Sequence, residues 1–123
     1  ALMTMQIHQV NVFRTRSEQA LEASMIANIG YKKYRATILR DDYDFQCQAK
    51  VYHWLPSSGW TFVTDFPIEE LNVYDSKSFQ MKMGSDEDRE KSWKKWVFAA
   101  EADMQDMIDG AEYFLMFEGS ESS

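Results

Sequence analysis

The pattern that most constrains this chain is the alternation from Phe45 to Leu55, followed by Pro56-Ser57-Ser58-Gly59 and an aromatic run from Trp60 to Phe66. Side chains on a strand alternate between faces, so Phe45, Cys47, Ala49, Val51, His53 and Leu55 share one face. Gln46, Gln48, Lys50, Tyr52 and Trp54 share the other. The segment between the runs has turn chemistry, because proline presets φ and glycine supplies φ > 0. A four-residue loop sets Leu55 opposite Trp60, His53 opposite Phe62, Val51 opposite Thr64 and Ala49 opposite Phe66, all on the apolar side. The same register sets Lys50 opposite Asp65, a favourable cross-strand pair.

A further strand, Tyr34 to Arg40, precedes these two and places Tyr34, Ala36 and Ile38 on the apolar face. The expectation is a three-stranded antiparallel meander over residues 34–66, whose outer face carries Arg35, Thr37, Leu39, Lys50, Tyr52, Trp54 and Val63. Met5 to Phe13 reads as a strand whose apolar phase changes between Ile7 and Val10, as at a bulge. Thr15-Arg16-Ser17-Glu18 has capping-box spacing, and Leu21, Met25 and Ile29 repeat every four residues up to Gly30. These signals predict a helix over 16–29. Pro67 to Leu71 suits one helical turn, and Asn72–Tyr74 and Phe79–Met83 read as short strands joined by Asp75-Ser76-Lys77-Ser78.

Ser85 and Asp88 open a second long helix, expected over 86–114. Its apolar stripe runs through Trp93, Val97, Ala100, Met104, Met107, Ala111 and Phe114, widened by Trp96, Ile108 and Leu115. That width suits a helix lying on its own sheet better than a coiled-coil seam, although a homodimer through the stripe is the alternative. The expected fold is therefore α+β, a two-layer sandwich in which two helices pack an antiparallel sheet. One domain over 1–117 would be followed by a disordered acidic, serine-containing tail over 118–123.

The chain of 123 residues carries a net charge of −7, unevenly spread. Residues 1–50 hold seven Lys and Arg against five Asp and Glu, whereas 51–123 hold six against fifteen. Asp103, Asp106, Asp109 and Glu112 step by three along the second helix, with Glu101 nearby, as an acidic column that would suit a basic partner. The competing reading is a solvated helix face.

Gly59-Trp60-Thr61-Phe62-Val63-Thr64 resembles the RNP-type octamer of RNA-recognition motifs, whose alternating aromatics stack on bases. It departs from that pattern at Ser58, Thr61 and Asp65, and the register above turns Trp60 and Phe62 to the core. The α-β-β-β-α order is similar to that of double-stranded-RNA-binding domains, but Asp86-Glu87-Asp88 stands where those present basic residues to phosphate. Cys47 and His53 lie roughly 20 Å apart on one strand, too far to act as a nucleophile and its base. With His8 the only other histidine, no zinc set is present, and no nucleophile-elbow, P-loop, dinucleotide-binding or metalloprotease motif occurs.

The sequence thus points to a small, acidic, non-enzymatic protein-binding module, an adaptor, chaperone or inhibitor. It would act without cofactor or metal, through Asp103, Asp106, Asp109 and Glu112 or through Tyr52 and Trp54. Another protein with a basic surface is the expected partner, with no membrane association and a cytoplasmic location. The alternative is a nucleic-acid-binding sheet using Arg35, Lys50, Tyr52 and Trp54.

Overall fold

Residues 20–29 are a strand, not a helix. In the computed structural model, which describes residues 4–14, 20–41, 46–75 and 86–121, five strands run in sequence order: β1 (Met5–Arg14), β2 (Ala20–Ile29), β3 (Lys32–Asp41), β4 (Gln46–Leu55) and β5 (Gly59–Asp65). Each pairs antiparallel with the next. Then come a 3-10 turn (Ile68–Glu70), the short helix α1 (Asn72–Asp75) and the long helix α2 (Asp86–Glu121). The fold is α+β, with one long helix among the described residues where two were expected.

The error over 20–29 has a simple cause. A four-residue spacing is also a multiple of two, so Met25 and Ile29 fit a strand as well as a helix. Ala23 and Ala27 fill the intervening in-facing positions, and all four are buried. Gly30 does take positive φ, 62°, but in the two-residue hairpin between Ile29 and Lys32, where the first loop position needs it. The capping box at 15–18 lies outside the described residues, as do Phe45 and the strand expected at 79–83.

β1 follows its expected course. The pairing with β2 slips between Ile7 and Gln9, where the apolar phase changes. In β3 and β4, Ile38 faces Ala49 and Ala36 faces Val51, with all four buried. Tyr34 faces His53 and is also fully buried.

α2 covers this apolar face. Trp96, Ala100, Met104, Met107, Ile108 and Ala111 are buried against β2, β3 and β4, so this part of the stripe is spent on the protein's own sheet, whereas Val97 is half-buried and Phe114, expected within the stripe, is exposed. Small residues at Ala100 and Ala111, facing Ala23, Ala27, Ala36 and Ala49 in the same core, allow the helix and sheet to approach closely. The helix continues through Gly110, where an added Cβ would lie 3.1 Å from the Phe66 ring. It also runs past Phe114, through the expected tail, to Glu121.

Asn72–Tyr74, expected as a strand, lies instead in the short helix α1, because Asp103 supplies acceptors for its first amides. Asp103 Oδ1 accepts from Asn72 N at 3.0 Å and Asn72 Nδ2 at 2.8 Å, and Oδ2 accepts from Val73 N at 2.9 Å. The opening amides of a helix have no partner within it, so a carboxylate from α2 stabilises this turn. Leu71 and Val73 are thereby held in the core. No helix among the described residues is long and apolar enough to cross a membrane.

Candidate functional site

The sheet has a helix-covered face and a face that no described element covers, and the chemistry collects on the second. Its position follows from the β4–β5 turn. The loop has three residues, Pro56, Ser57 and Ser58, not four, and Leu55 pairs with Gly59. Ser58 N donates to Leu55 O at 3.1 Å, and Gly59 takes φ 75°, the glycine-closed turn of a three-residue hairpin. A bulge between Val51 and Tyr52 then restores the expected register at Val51–Thr64 and Lys50–Asp65.

Between turn and bulge, the expected pairing is displaced. Trp60 pairs with Trp54 and Phe62 with Tyr52, so both rings join the open face instead of the core. Val63, expected outside, packs against the core. Trp60 and Phe62 were therefore missed as site residues. A glycine at the end of Pro-Ser-Ser-Gly fits a turn of either length, and only the pairing of Leu55 with Gly59 sets the register that brings them to this face.

Four aromatics thus form one block. Tyr52 and Phe62 meet edge to face with centroids 6.0 Å apart, and Trp54 and Trp60 do so at 5.4 Å. Phe62 is 52% exposed and Trp54 is 47% exposed. Two cations from β3 lie over the block. Lys33 Nζ is 5.9 Å from the Trp54 ring and 5.8 Å from the Trp60 ring, and Arg35 Cζ is 6.0 Å from the Trp60 ring. These are cation–π distances, with Lys33 exposed and Arg35 half-buried.

Beyond the block, the face hollows into a concavity of about 320 Å³, whose lining includes Glu22, Arg35, Thr37, Gln48, Lys50 and Tyr52. A second hollow of about 280 Å³ links it to Trp60 through Arg35, Thr37 and Tyr52. The Arg35 Nε is buried and has no hydrogen-bond partner among the described residues. Charge is graded along the face: Lys33 and Arg35 sit at the aromatic end, while Glu22 and Asp65 lie with Lys50 towards the other. This surface can stack planar rings and pair anions at one end.

The acidic column does not form one surface. Three residues advance about 300° around a helix, so each step turns the next side chain back by about 60°. Asp103 is consequently 2% exposed and committed to α1, which removes it from any partner surface. Asp106 and Asp109 are exposed, and Glu112 is half-buried. Burial, with Asp106 second, pushes the Asp109 carboxyl up from its ordinary value. Burial pushes the Tyr34 hydroxyl up to about 12, with the charge of Glu112 adding to the effect.

His53 is half-buried on the helix-covered side, opposite Tyr34. Burial and then Lys32 hold its imidazole below the ordinary value. No group of three or more His, Cys, Asp or Glu among the described residues is placed to hold a metal ion. The chain matches no known family model, and no curated protein or solved structure resembles it at a significant level.

Proposed function

We propose that the open face of the sheet binds single-stranded nucleic acid. Bases would stack on Trp54, Trp60, Tyr52 and Phe62, and phosphates would pair with Lys33, Arg35 and Lys50. The observation that carries this reading is the block of four aromatics under two cations, on a face no described element covers. A bare sheet can offer its rings to unstacked bases, whereas the stacked bases of a duplex present only their edges. The acidic residues of α2 lie on the far side of the sheet from this surface and would repel a strand that strayed there.

A second reading is favoured by the net charge of −7: the same aromatic block is the hot spot of a protein-binding module. Tryptophan and arginine dominate such hot spots, and acidic balance suits a basic partner. One titration separates the two. Tryptophan fluorescence is followed against short oligothymidylate and oligouridylate at two salt concentrations. Nucleic-acid binding quenches Trp54 and Trp60, weakens with salt, and loses roughly 1–3 kcal/mol on Trp60→Ala. Unquenched fluorescence at low salt excludes the first reading and leaves the protein-binding one.

A further inference from the structure

The larger hollow on the open face follows from side-chain length across three strands. Ser24, Thr37 and Lys50 face one another in one row of the sheet. The row on one side is Glu22, Leu39 and Gln48, and the row on the other is Ile26, Arg35 and Tyr52. The two short hydroxyl side chains thus sit among longer ones, and the face sinks there into the concavity of about 320 Å³. Glu22 and Arg35 line it from rows about 13 Å apart along the strands.

Glu22 is the residue that a purely phosphate-binding face does not explain. A carboxylate repels phosphate, yet this one is half-buried, lines the hollow and shares the face with Lys33, Arg35 and Lys50. Among the described residues no ion pair joins it to Arg35 or Lys50. The hollow therefore offers the two acceptor oxygens of a carboxylate at one end and the donors of a guanidinium at the other, with Ser24 and Thr37 between. The Tyr52 ring lines both this hollow and its neighbour towards Trp60, so a base held here is continuous with the aromatic block.

Given the nucleic-acid reading of the open face, on which this rests, we propose that the hollow selects guanine in a single strand whose other bases lie on the aromatic block. Guanine alone among the common bases carries two N–H donors side by side, N1–H and the 2-amino group, and the Glu22 carboxylate accepts both. Its O6 and N7, on the adjoining edge, match the fork of Arg35. Arginine has donors enough to hold a base and a phosphate together. Adenine and cytosine offer one amino group beside a ring acceptor, which the second carboxylate oxygen repels. Thymine and uracil offer one N–H between two carbonyls, with the same result.

Tryptophan fluorescence titration of the full chain tests this, with short oligothymidylate in which one central thymine is replaced by guanine, adenine, cytosine or hypoxanthine. Affinity is read from the midpoint, because guanine itself alters the depth of quenching. The guanine strand is expected to bind roughly tenfold tighter than oligothymidylate. Hypoxanthine keeps N1–H, O6 and N7 but lacks the 2-amino group, and should lose most of that gain on the unaltered protein. Glu22→Gln should bring the guanine strand down to the affinity that the same variant has for oligothymidylate. Arg35→Lys keeps the charge, loses the fork and should also narrow the preference. Circular dichroism verifies that each variant keeps its fold. Strands that all bind alike, hypoxanthine equal to guanine, or a guanine preference that survives Glu22→Gln would each overturn the guanine site while leaving the open face a nucleic-acid surface. Failure of every strand to bind would overturn both.

Discussion

The Asp103 carboxylate, 2% exposed on α2, accepts the amide of Val73 at 2.9 Å across thirty residues of chain. With its bonds to Asn72, it anchors the short helix that closes the segment after β5. Asp103→Ala leaves three donors without the acceptor that α2 supplies, the Val73 amide in a buried position and the two Asn72 groups in part-buried ones. A loss of roughly 2–4 kcal/mol is expected, lowering Tm by on the order of 10 °C. Thermal unfolding followed by circular dichroism measures it. A loss as small as that of Asp106→Ala, an exposed control, would mean the bracket adds nothing.

Tyr34 presents the opposite case. Its hydroxyl is buried and has no hydrogen-bond partner among the described residues. Tyr34→Phe removes that desolvated group and keeps the ring, so stability should be unchanged or rise by up to about 1 kcal/mol. The same burial raises the hydroxyl to about 12, so the folded chain holds this proton where the unfolded chain has released it. Stability is therefore fully present below pH 10.0 and falls as pH climbs towards 12. Spectrophotometric titration of wild type against Tyr34→Phe isolates the late-ionising group; its ionisation alongside the exposed tyrosines would refute the assignment.

His53 shifts the other way. Burial first, and Lys32 second, favour the neutral imidazole, so below 6.5 the folded chain binds fewer protons than the unfolded chain. Stability is highest above 6.5 and declines as pH falls through the folded-state value. NMR titration of the ring should place His53 below that ordinary value, and His53→Gln should flatten the acid side of the stability profile. A ring titrating at or above 6.5 would show that Lys32 and burial do not act on it.

Gly110 weighs two small effects against each other. Alanine stabilises a helix interior by about 0.8–1 kcal/mol over glycine. Its Cβ would press on the Phe66 ring at 3.1 Å. Phe66, just after β5, is half-buried and packs against the core, and the helix gain is expected to outweigh this single contact, so Gly110→Ala should raise Tm slightly. A fall in Tm would show that the ring is pinned and that the glycine serves helix–sheet packing.

Much of the sheet was legible because strand alternation is a local rule. Alternation alone put Tyr34, Ala36, Ile38, Ala49 and Val51 on the buried face, and a phase change marked the irregularity near Ile7. The α2 stripe was equally readable, since its width distinguishes a helix on a sheet from one in a coiled coil. The helix expected over 16–29 failed because spacings of four satisfy both periods. Only pairing with β1 and β3 decides between them, and that is a non-local choice.

The site divides in the same way. Arg35, Lys50, Tyr52 and Trp54 were assigned to the open face from alternation. One residue of loop length then decided where Trp60 and Phe62 went, because a strand shifted by one position turns every side chain to the other face. The acidic column was visible as spacing, but what Asp103 does depended on which residues α2 met in space. Sequence by itself determined the periodicities, the charge distribution and the absence of known catalytic motifs. Tertiary structure alone decided the hairpin register, the capping role of Asp103 and the joining of four rings with two cations, since each is a contact between residues that no local pattern relates.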